Sequence, residues 1–199
     1  EKLIRLSNCF LCYSGNDEFK IKNSLPYHNN NFITFGSFNN FNKINAKVIE
    51  VWSSILKSIP NSKLILKNSD NNFNSKFILN KFSYEGVNID NIFIYNKIPK
   101  MRDHMNLYNS IDIALDTFPF NGATTTFEAL WMGVPVITYL GKTHASRVSS
   151  SILYYLNLKT LIAKDVIEYQ KKVVEISNNE KFLLEMRQGL RSQMKNSYL

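Results

Sequence analysis

The chain has 199 residues, of which 44% are hydrophobic and 13% aromatic; this composition predicts a globular core and excludes a disordered chain. No apolar run reaches the roughly 20 residues that a membrane-spanning helix needs, and no secretory signal opens the sequence. The net charge is +8, but the basic residues are dispersed and no nucleic-acid-binding motif accompanies them. We therefore expect no membrane partner and no nucleic acid.

The two cysteines, Cys9 and Cys12, form a Cys-x-x-Cys pair with apolar residues between them. No second pair of ligands completes a zinc site, so the apolar surroundings favour buried thiols in an extended core segment. Two cysteines are also too few for a secreted disulfide scaffold. A reducing, cytoplasmic location is the expectation that follows.

The first 31 residues are irregular apart from a strand-like piece at 9–13, and we predict a linker or inter-domain segment at 1–31. From residue 32 onward, short apolar runs alternate with helical patterns. Strands are predicted at 32–35, 63–67, 92–95, 111–115 and 134–139. A helix capped by Asn45 is predicted after the first strand, a surface loop at 68–74, and further helices at 75–85, 101–110, 125–132, 146–156, 165–177 and 180–195.

Short apolar strands between amphipathic helices are typical of a parallel sheet with helices on both faces. The sequence therefore predicts a doubly wound, Rossmann-like α/β domain over residues 32–199. In such domains ligands bind beyond the carboxyl ends of the strands. The first strand is not followed by Gly-x-Gly-x-x-Gly, and no Walker-type lysine loop is present, which disfavours an ordinary dinucleotide-binding or ATP-binding fold.

The segment at 115–135 has the most informative pattern. A strand ends, the chain turns at Asn121 and Gly122, and threonines open a short helix. Hydroxyls and unpaired N–H groups at a helix start bind anions, so Thr124 and Thr125 are candidates for a diphosphate. Glu128 lies one turn further on the same face, where a carboxylate can accept the hydroxyls of a ribose. Simple helix capping is the competing interpretation.

Two other segments follow predicted strands and carry basic residues. Lys43 follows the first strand, where an ammonium can stabilise a departing nucleoside diphosphate. Lys100 and His104 follow the third strand and are candidates for contact with a base or a phosphate. Ordinary surface side chains are the alternative for Lys43 and His104.

Several of these segments together resemble one protein family. Residues 32–40 with Lys43 and Ile44, the motif at 115–119, the three threonines at 124–126 and the motif at 144–148 are similar to family 41 glycosyltransferases. These are the protein O-GlcNAc transferases and the plant SPINDLY O-fucosyltransferases. Residues 3–6 and 9–13 resemble the SPINDLY type in particular.

The resemblance implies the C-terminal half of a GT-B fold, in which two Rossmann-like domains face each other. It also implies roles for individual residues: Asn40 and Lys43 at the diphosphate, Lys100 and His104 near the base, Thr124 and Thr125 at the phosphate, and Glu128 at the ribose. The resemblance also places Ala123 among the donor-binding residues; the animal O-GlcNAc transferases have His at its position and Asp at that of Glu128. These differences leave the base and the sugar of the donor open.

The function implied is metal-independent, inverting transfer of a sugar to Ser or Thr of proteins, with GlcNAc from UDP-GlcNAc as the leading donor and GDP-fucose as the alternative. No cofactor is expected beyond this nucleotide sugar. The expected partners are the acceptor protein and, in the same polypeptide, a first Rossmann-like domain and tetratricopeptide repeats, so we interpret the chain as a fragment. A non-catalytic nucleotide-sugar-binding module and, from charge alone, a nucleic-acid-binding α/β protein are the competing classes.

Overall fold

The computed structural model describes residues 9–68 and 75–199. The SPINDLY-like residues 3–6 lie outside the described residues, and so does the surface loop predicted at 68–74 beyond Asn68. Within the described ranges no helix is both long and apolar enough to cross a membrane.

The described residues form one sheet of six parallel strands, which confirms the predicted α/β fold class. The strands are β1 (Thr34–Ser37), β2 (Lys63–Lys67), β3 (Ile92–Tyr95), β4 (Ile113–Leu115), β5 (Val136–Tyr139) and β6 (Ile162–Ala163). Their order across the sheet is β3-β2-β1-β4-β5-β6, and all neighbours are parallel. The direction of winding therefore reverses between β1 and β4, and a ligand is expected at the carboxyl ends of these two strands.

The helices cover the sheet in two packed groups. They are α1 (Pro26–Asn30), α2 (Ala46–Ser58), α3 (Ser75–Tyr84), α4 (Met101–Leu107), α5 (Thr124–Trp131), α6 (Val148–Tyr155), α7 (Val166–Ser177) and α8 (Glu180–Lys195). Helix α2 contacts α3 and α7, whereas α5 contacts α6 and α8. As predicted, Asn45 caps α2: its side chain accepts a hydrogen bond from the backbone N–H of Val48 at 3.0 Å.

Strands β1, β4 and β5 each begin two residues later than the sequence predicts, and β1 also ends two residues later. For β1 and β4 the reason is the buried Asp112, whose carboxylate accepts hydrogen bonds from the backbone N–H groups of Thr34 at 2.9 Å and Tyr27 at 3.1 Å. A side chain therefore occupies the backbone donors just before the ladder between these strands starts. The prediction also missed α1, which lies inside the segment expected to be irregular, and β6, which is only two residues long.

The predicted strand at 9–13 is wrong. This segment has no regular structure and pairs with no strand of the described sheet. Cys9 is half-buried, with its Sγ atom 3.7 Å from Ser151 Oγ, and Cys12 is exposed. Leu11 and Tyr13 pack against the core as partly buried side chains, but the prediction of two buried thiols is also wrong.

Two arginines of α8 attach that helix to the carboxyl end of α5. Arg187 is 1% exposed and donates hydrogen bonds to the carbonyl oxygens of Met132, at 3.1 Å, and Ile111. Arg191 Nε donates to the carbonyl oxygen of Trp131 at 3.0 Å. Burial lowers the pKa of Arg187 to about 10, against the attraction of Asp112. These contacts fix the position of α5, whose other end opens on the ligand edge of the sheet.

Candidate functional site

A cavity of about 480 Å³ lies at the carboxyl edge of the sheet, where strands β1 to β4 end. Seven of the eight residues that the sequence singles out for the donor line this cavity: Asn40, Lys43, His104, Ala123, Thr124, Thr125 and Glu128. The eighth, Lys100, is the exposed residue just before α4 and is not part of the lining. The structure thus brings together side chains that are up to 88 positions apart in the chain, from Asn40 to Glu128.

One wall of the cavity is formed by the start of α5 and the connection after β1. We call it the α5 side and define it by Asn39, Lys43, Ala123, Thr124 and Thr125. Ala123 is the residue before the helix, and its side chain caps no N–H group of the first turn. The first turn of α5 lines the cavity, so its backbone donors are placed where an anion can bind.

A chain of hydrogen bonds connects the α5 side to a buried carboxylate. The Thr125 hydroxyl donates to Asn39 Oδ1 at 2.7 Å, and Asn39 Nδ2 donates to Asp116 Oδ1 at 3.4 Å. Asp116 is 2% exposed and also accepts from the N–H of Gly122 at 2.7 Å and the hydroxyl of Thr138 at 2.6 Å. Burial raises the pKa of Asp116, and the donated hydrogen bonds oppose this. Asp116 therefore holds the turn that precedes α5 in place.

Sequence reasoning assigned no role to Asp116 or Asn39. Asp116 lies in the motif at 115–119 that carries the family resemblance, but only the fold shows that it binds the backbone of the turn. Gly122 is required there because a Cβ atom would lie 2.7 Å from Thr125 Oγ1 and 3.2 Å from Asn39 Oδ1.

Lys43 lies at the edge of the cavity, and two contacts fix the position of its ammonium group. Its Nζ atom donates to the carbonyl oxygen of Asn121 at 2.8 Å and lies 4.2 Å from the centre of the Phe120 ring. Burial lowers the pKa of Lys43, whereas the charge of Asp116 raises it. Lys43 is thus a half-buried cation fixed next to the α5 side, and not an ordinary surface lysine.

Glu128 and His104 are in direct contact in the floor of the cavity. His104 Nε2 lies 2.9 Å from Glu128 Oε2, and the hydroxyl of Tyr108 donates to the same oxygen at 3.1 Å. Only 6% of each of His104 and Glu128 is exposed, so His104 is not the surface residue that its position at a helix start usually indicates. The two hydrogen bonds fix one carboxylate oxygen of Glu128 and orient the side chain.

The opposite wall of the cavity follows β2 and β3. We call it the β2–β3 side and define it by Lys67, Lys97, Ile98, Pro99 and Met101, which all line the cavity. Sequence reasoning missed Lys67 and Lys97, because a lysine at the end of an apolar strand or in an exposed connection carries no distinguishing pattern. In the parts of the chain that the structure describes, no three His, Cys, Asp or Glu side chains form a group that could hold a metal ion.

Comparisons with known proteins identify the family of the chain. Residues 21–199 match the family model described as glycosyl transferase family 41. The chain is 39% identical over 204 residues to the probable UDP-N-acetylglucosamine--peptide N-acetylglucosaminyltransferase SPINDLY of Arabidopsis thaliana, a match that covers 99% of this chain and 22% of that protein. It is 30% identical to the UDP-N-acetylglucosamine--peptide N-acetylglucosaminyltransferase of Caenorhabditis elegans, over 78% of this chain and 13% of that one.

Solved structures give the same result. A mutant of the Thermobaculum terrenum O-GlcNAc transferase superposes with a TM-score of 0.89 at 31% identity, over 98% of this chain and 37% of that one. The C-terminal domain of a group 1 glycosyl transferase from Francisella tularensis shares the fold, with a TM-score of 0.66 at 13% identity, over 89% of this chain and 94% of that one. The chain spans about a fifth of the length of its SPINDLY relatives. Its fold is that of the C-terminal half of GT-B glycosyltransferases, and the chain belongs to glycosyl transferase family 41.

Proposed function

We propose that this chain is the donor-binding domain of a glycosyltransferase that moves a sugar from a nucleotide sugar to Ser or Thr of a protein acceptor. The observation that carries the proposal is the cavity at the carboxyl ends of β1 to β4, where the first turn of α5, Lys43 and Glu128 meet. A nucleotide-sugar site without a metal needs three things: donors that bind the diphosphate, a cation that balances its charge and a carboxylate that binds the ribose.

The diphosphate is placed at the first turn of α5. Its oxygens accept hydrogen bonds from the backbone N–H groups there and from the exposed hydroxyl of Thr124. The Thr125 hydroxyl, which donates to Asn39 in the structure, rotates to donate to a phosphate oxygen. Asn40, on the connection after β1, lines the cavity next to these groups.

Lys43 serves the leaving group. In an inverting transfer the acceptor hydroxyl attacks the anomeric carbon and loses its proton, while the bond from that carbon to the diphosphate oxygen breaks. The nucleoside diphosphate gains negative charge as it departs. The ammonium of Lys43, fixed by Asn121 and Phe120, offsets that charge without having to reorganise.

Glu128 and His104 are assigned to the nucleoside. The carboxylate of Glu128, oriented by His104 and Tyr108, accepts a hydrogen bond from a ribose hydroxyl. UDP-GlcNAc is the leading donor, because the names of the relatives specify UDP-N-acetylglucosamine and a peptide acceptor. GDP-fucose is the alternative, since Ala123 and Glu128 differ from the residues of the animal O-GlcNAc transferases.

We also propose partner domains and a cellular location for the protein. A first Rossmann-like domain and tetratricopeptide repeats in the same polypeptide would supply the acceptor-binding parts. A cytoplasmic location fits the two cysteines, which form no disulfide. The competing proposal is a non-catalytic module that binds nucleotide sugars, and helical repeats of 34 residues in the upstream coding sequence would favour the enzyme.

The test is a calorimetric titration of the intact protein with UDP, GDP, uridine and guanosine, with and without EDTA, followed by UDP-GlcNAc and GDP-fucose. We expect Thr125→Val to lower the affinity for the diphosphates about tenfold, because one hydrogen bond to phosphate is lost. The affinity for the nucleosides should not change. Glu128→Ala should weaken nucleosides and nucleotides alike. Thr160→Val, at an exposed position away from the cavity, is the matched control. Loss of binding with EDTA, or normal binding by both variants, would contradict the proposed site.

A further inference from the structure

Lys67 places a cation in the wall of the cavity, on the β2–β3 side. It is the last residue of β2, its side chain is half-buried, and it lines the cavity. Lys43 on the α5 side donates to Asn121, whereas Lys67 makes no hydrogen bond or ion pair with any residue that the structure describes. Water solvates an ammonium that lines an open cavity, and a ligand group that accepts a hydrogen bond can take the place of that water.

The position of Lys67 indicates which part of a donor it meets. Strand β1 separates β2 from β4, and two strand spacings amount to about 10 Å. When the diphosphate occupies the start of α5, the β2–β3 side is therefore left for the nucleoside. The apolar side chains of Ile98, Pro99 and Met101 line this side and offer a surface on which a flat base can lie.

The charge around Lys67 agrees with a neutral partner. Burial lowers the pKa of Lys67, and the negative charge of Glu128 opposes this. The negative charge of Glu128 thus already acts on Lys67, so a neutral hydrogen-bond acceptor is sufficient as the ligand group.

We propose that Lys67 selects the nucleobase of the donor by donating a hydrogen bond to a carbonyl oxygen on the edge of the base. An ammonium only donates, so it favours the carbonyl oxygen of uracil or guanine. Cytosine and adenine carry an amino group at the corresponding position and present a donor to a donor. This role rests on the proposed function, because it requires a nucleoside diphosphate in the cavity.

The experiment compares four nucleoside diphosphates in two matched pairs, UDP with CDP and GDP with ADP. The wild-type protein is expected to bind the member with a carbonyl oxygen at the position that differs (O4 of uracil or O6 of guanine) more tightly in one pair or in both. Lys67→Met should lower the affinity for that member about tenfold and change the affinity for its amino-bearing counterpart less than about twofold. The preference within the pair is then lost. Lys67→Arg keeps a donor and should keep the preference. A thermal melt of each variant verifies that it is folded.

Lys97→Met is the control for charge, because Lys97 lines the same cavity but is exposed. It should lower the affinity for all four nucleoside diphosphates by a similar small factor. If Lys67→Met weakens all four equally, Lys67 acts on the phosphates and the proposal is wrong; unchanged affinities contradict it as well. If the wild type discriminates and Lys67→Met does not, the proposal stands. A wild-type protein that binds none of the four overturns both the donor site and this role of Lys67.

Discussion

The two walls of the cavity differ in how their side chains are held. On the α5 side, Thr125 is bound to Asn39, Lys43 to Asn121, and the turn before the helix to the buried Asp116. On the β2–β3 side, Lys67 has no hydrogen bond to a described residue, and Lys97 and Met101 are exposed. The first wall is organised before any ligand arrives, whereas the second can adapt to what is bound. We infer that chemistry depends on the first wall and donor choice on the second.

The largest effect is expected at Lys43, the cation of the organised wall. Lys43→Ala should lower kcat of the intact enzyme by at least about 100-fold, the usual cost of removing one fixed electrostatic group from a transition state. Steady-state transfer of the sugar to a protein acceptor measures this. Lys47→Ala is the control, since Lys47 is exposed on α2 and pairs only with Glu50. Turnover of Lys43→Ala within a few-fold of the wild type would show that the α5 side does not carry the chemistry.

The next effect concerns the stability of the same wall. Asp116→Asn replaces one carboxylate oxygen by an NH₂ group, which only donates, so the side chain can no longer accept from both Gly122 and Thr138. The free energy of unfolding should fall by about 2 kcal/mol, because a buried donor loses its acceptor. Urea denaturation measures the change, and Asp103→Asn, at an exposed position in the first turn of α4, should leave it nearly unchanged. Equal stability of the two variants would mean that Asp116 does not organise the turn.

The smallest effect is expected at Lys100, beside the adaptable wall. The family resemblance places Lys100 near the base, but the structure places it outside the cavity, at an exposed position. Lys100→Ala should therefore change the affinity for UDP or GDP by less than about twofold, whereas Lys67→Met should weaken the preferred one about tenfold. Titration of both variants in parallel is the measurement. If Lys100→Ala lowers the affinity more than Lys67→Met does, Lys100 is the residue that contacts the base.

Much of the sheet was accessible from the sequence because buried parallel strands are continuous apolar runs. Strands β2 and β3 begin and end at the predicted residues. Two errors have local physical causes: the Asp112 carboxylate accepts from the N–H of Thr34 where β1 begins, and the apolar residues near Cys9 pair with no strand. Two residues, as in β6, are too few to show a period.

The candidate site was accessible only in part. Thr124, Thr125 and Glu128 lie within one helix, so their spacing alone places them on one face. The contact between His104 and Glu128 joins two helices, and nothing in either segment indicates the other. Lys67 and Lys97 become visible only when β2 and β3 are placed beside β1, because their local sequence is that of any strand end and any exposed connection.

The attachment of α8 has a consequence for the electric field of the site. Helix α5 has eight residues, and its aligned peptide dipoles place about half a positive charge at the first turn and half a negative charge at the last. The guanidinium groups of Arg187 and Arg191 bind carbonyl oxygens at the negative end. At the positive end, Ala123 provides no side-chain acceptor. The negative terminus of the helix is thus compensated by two cations, and the anion proposed to bind in the cavity would face the positive terminus.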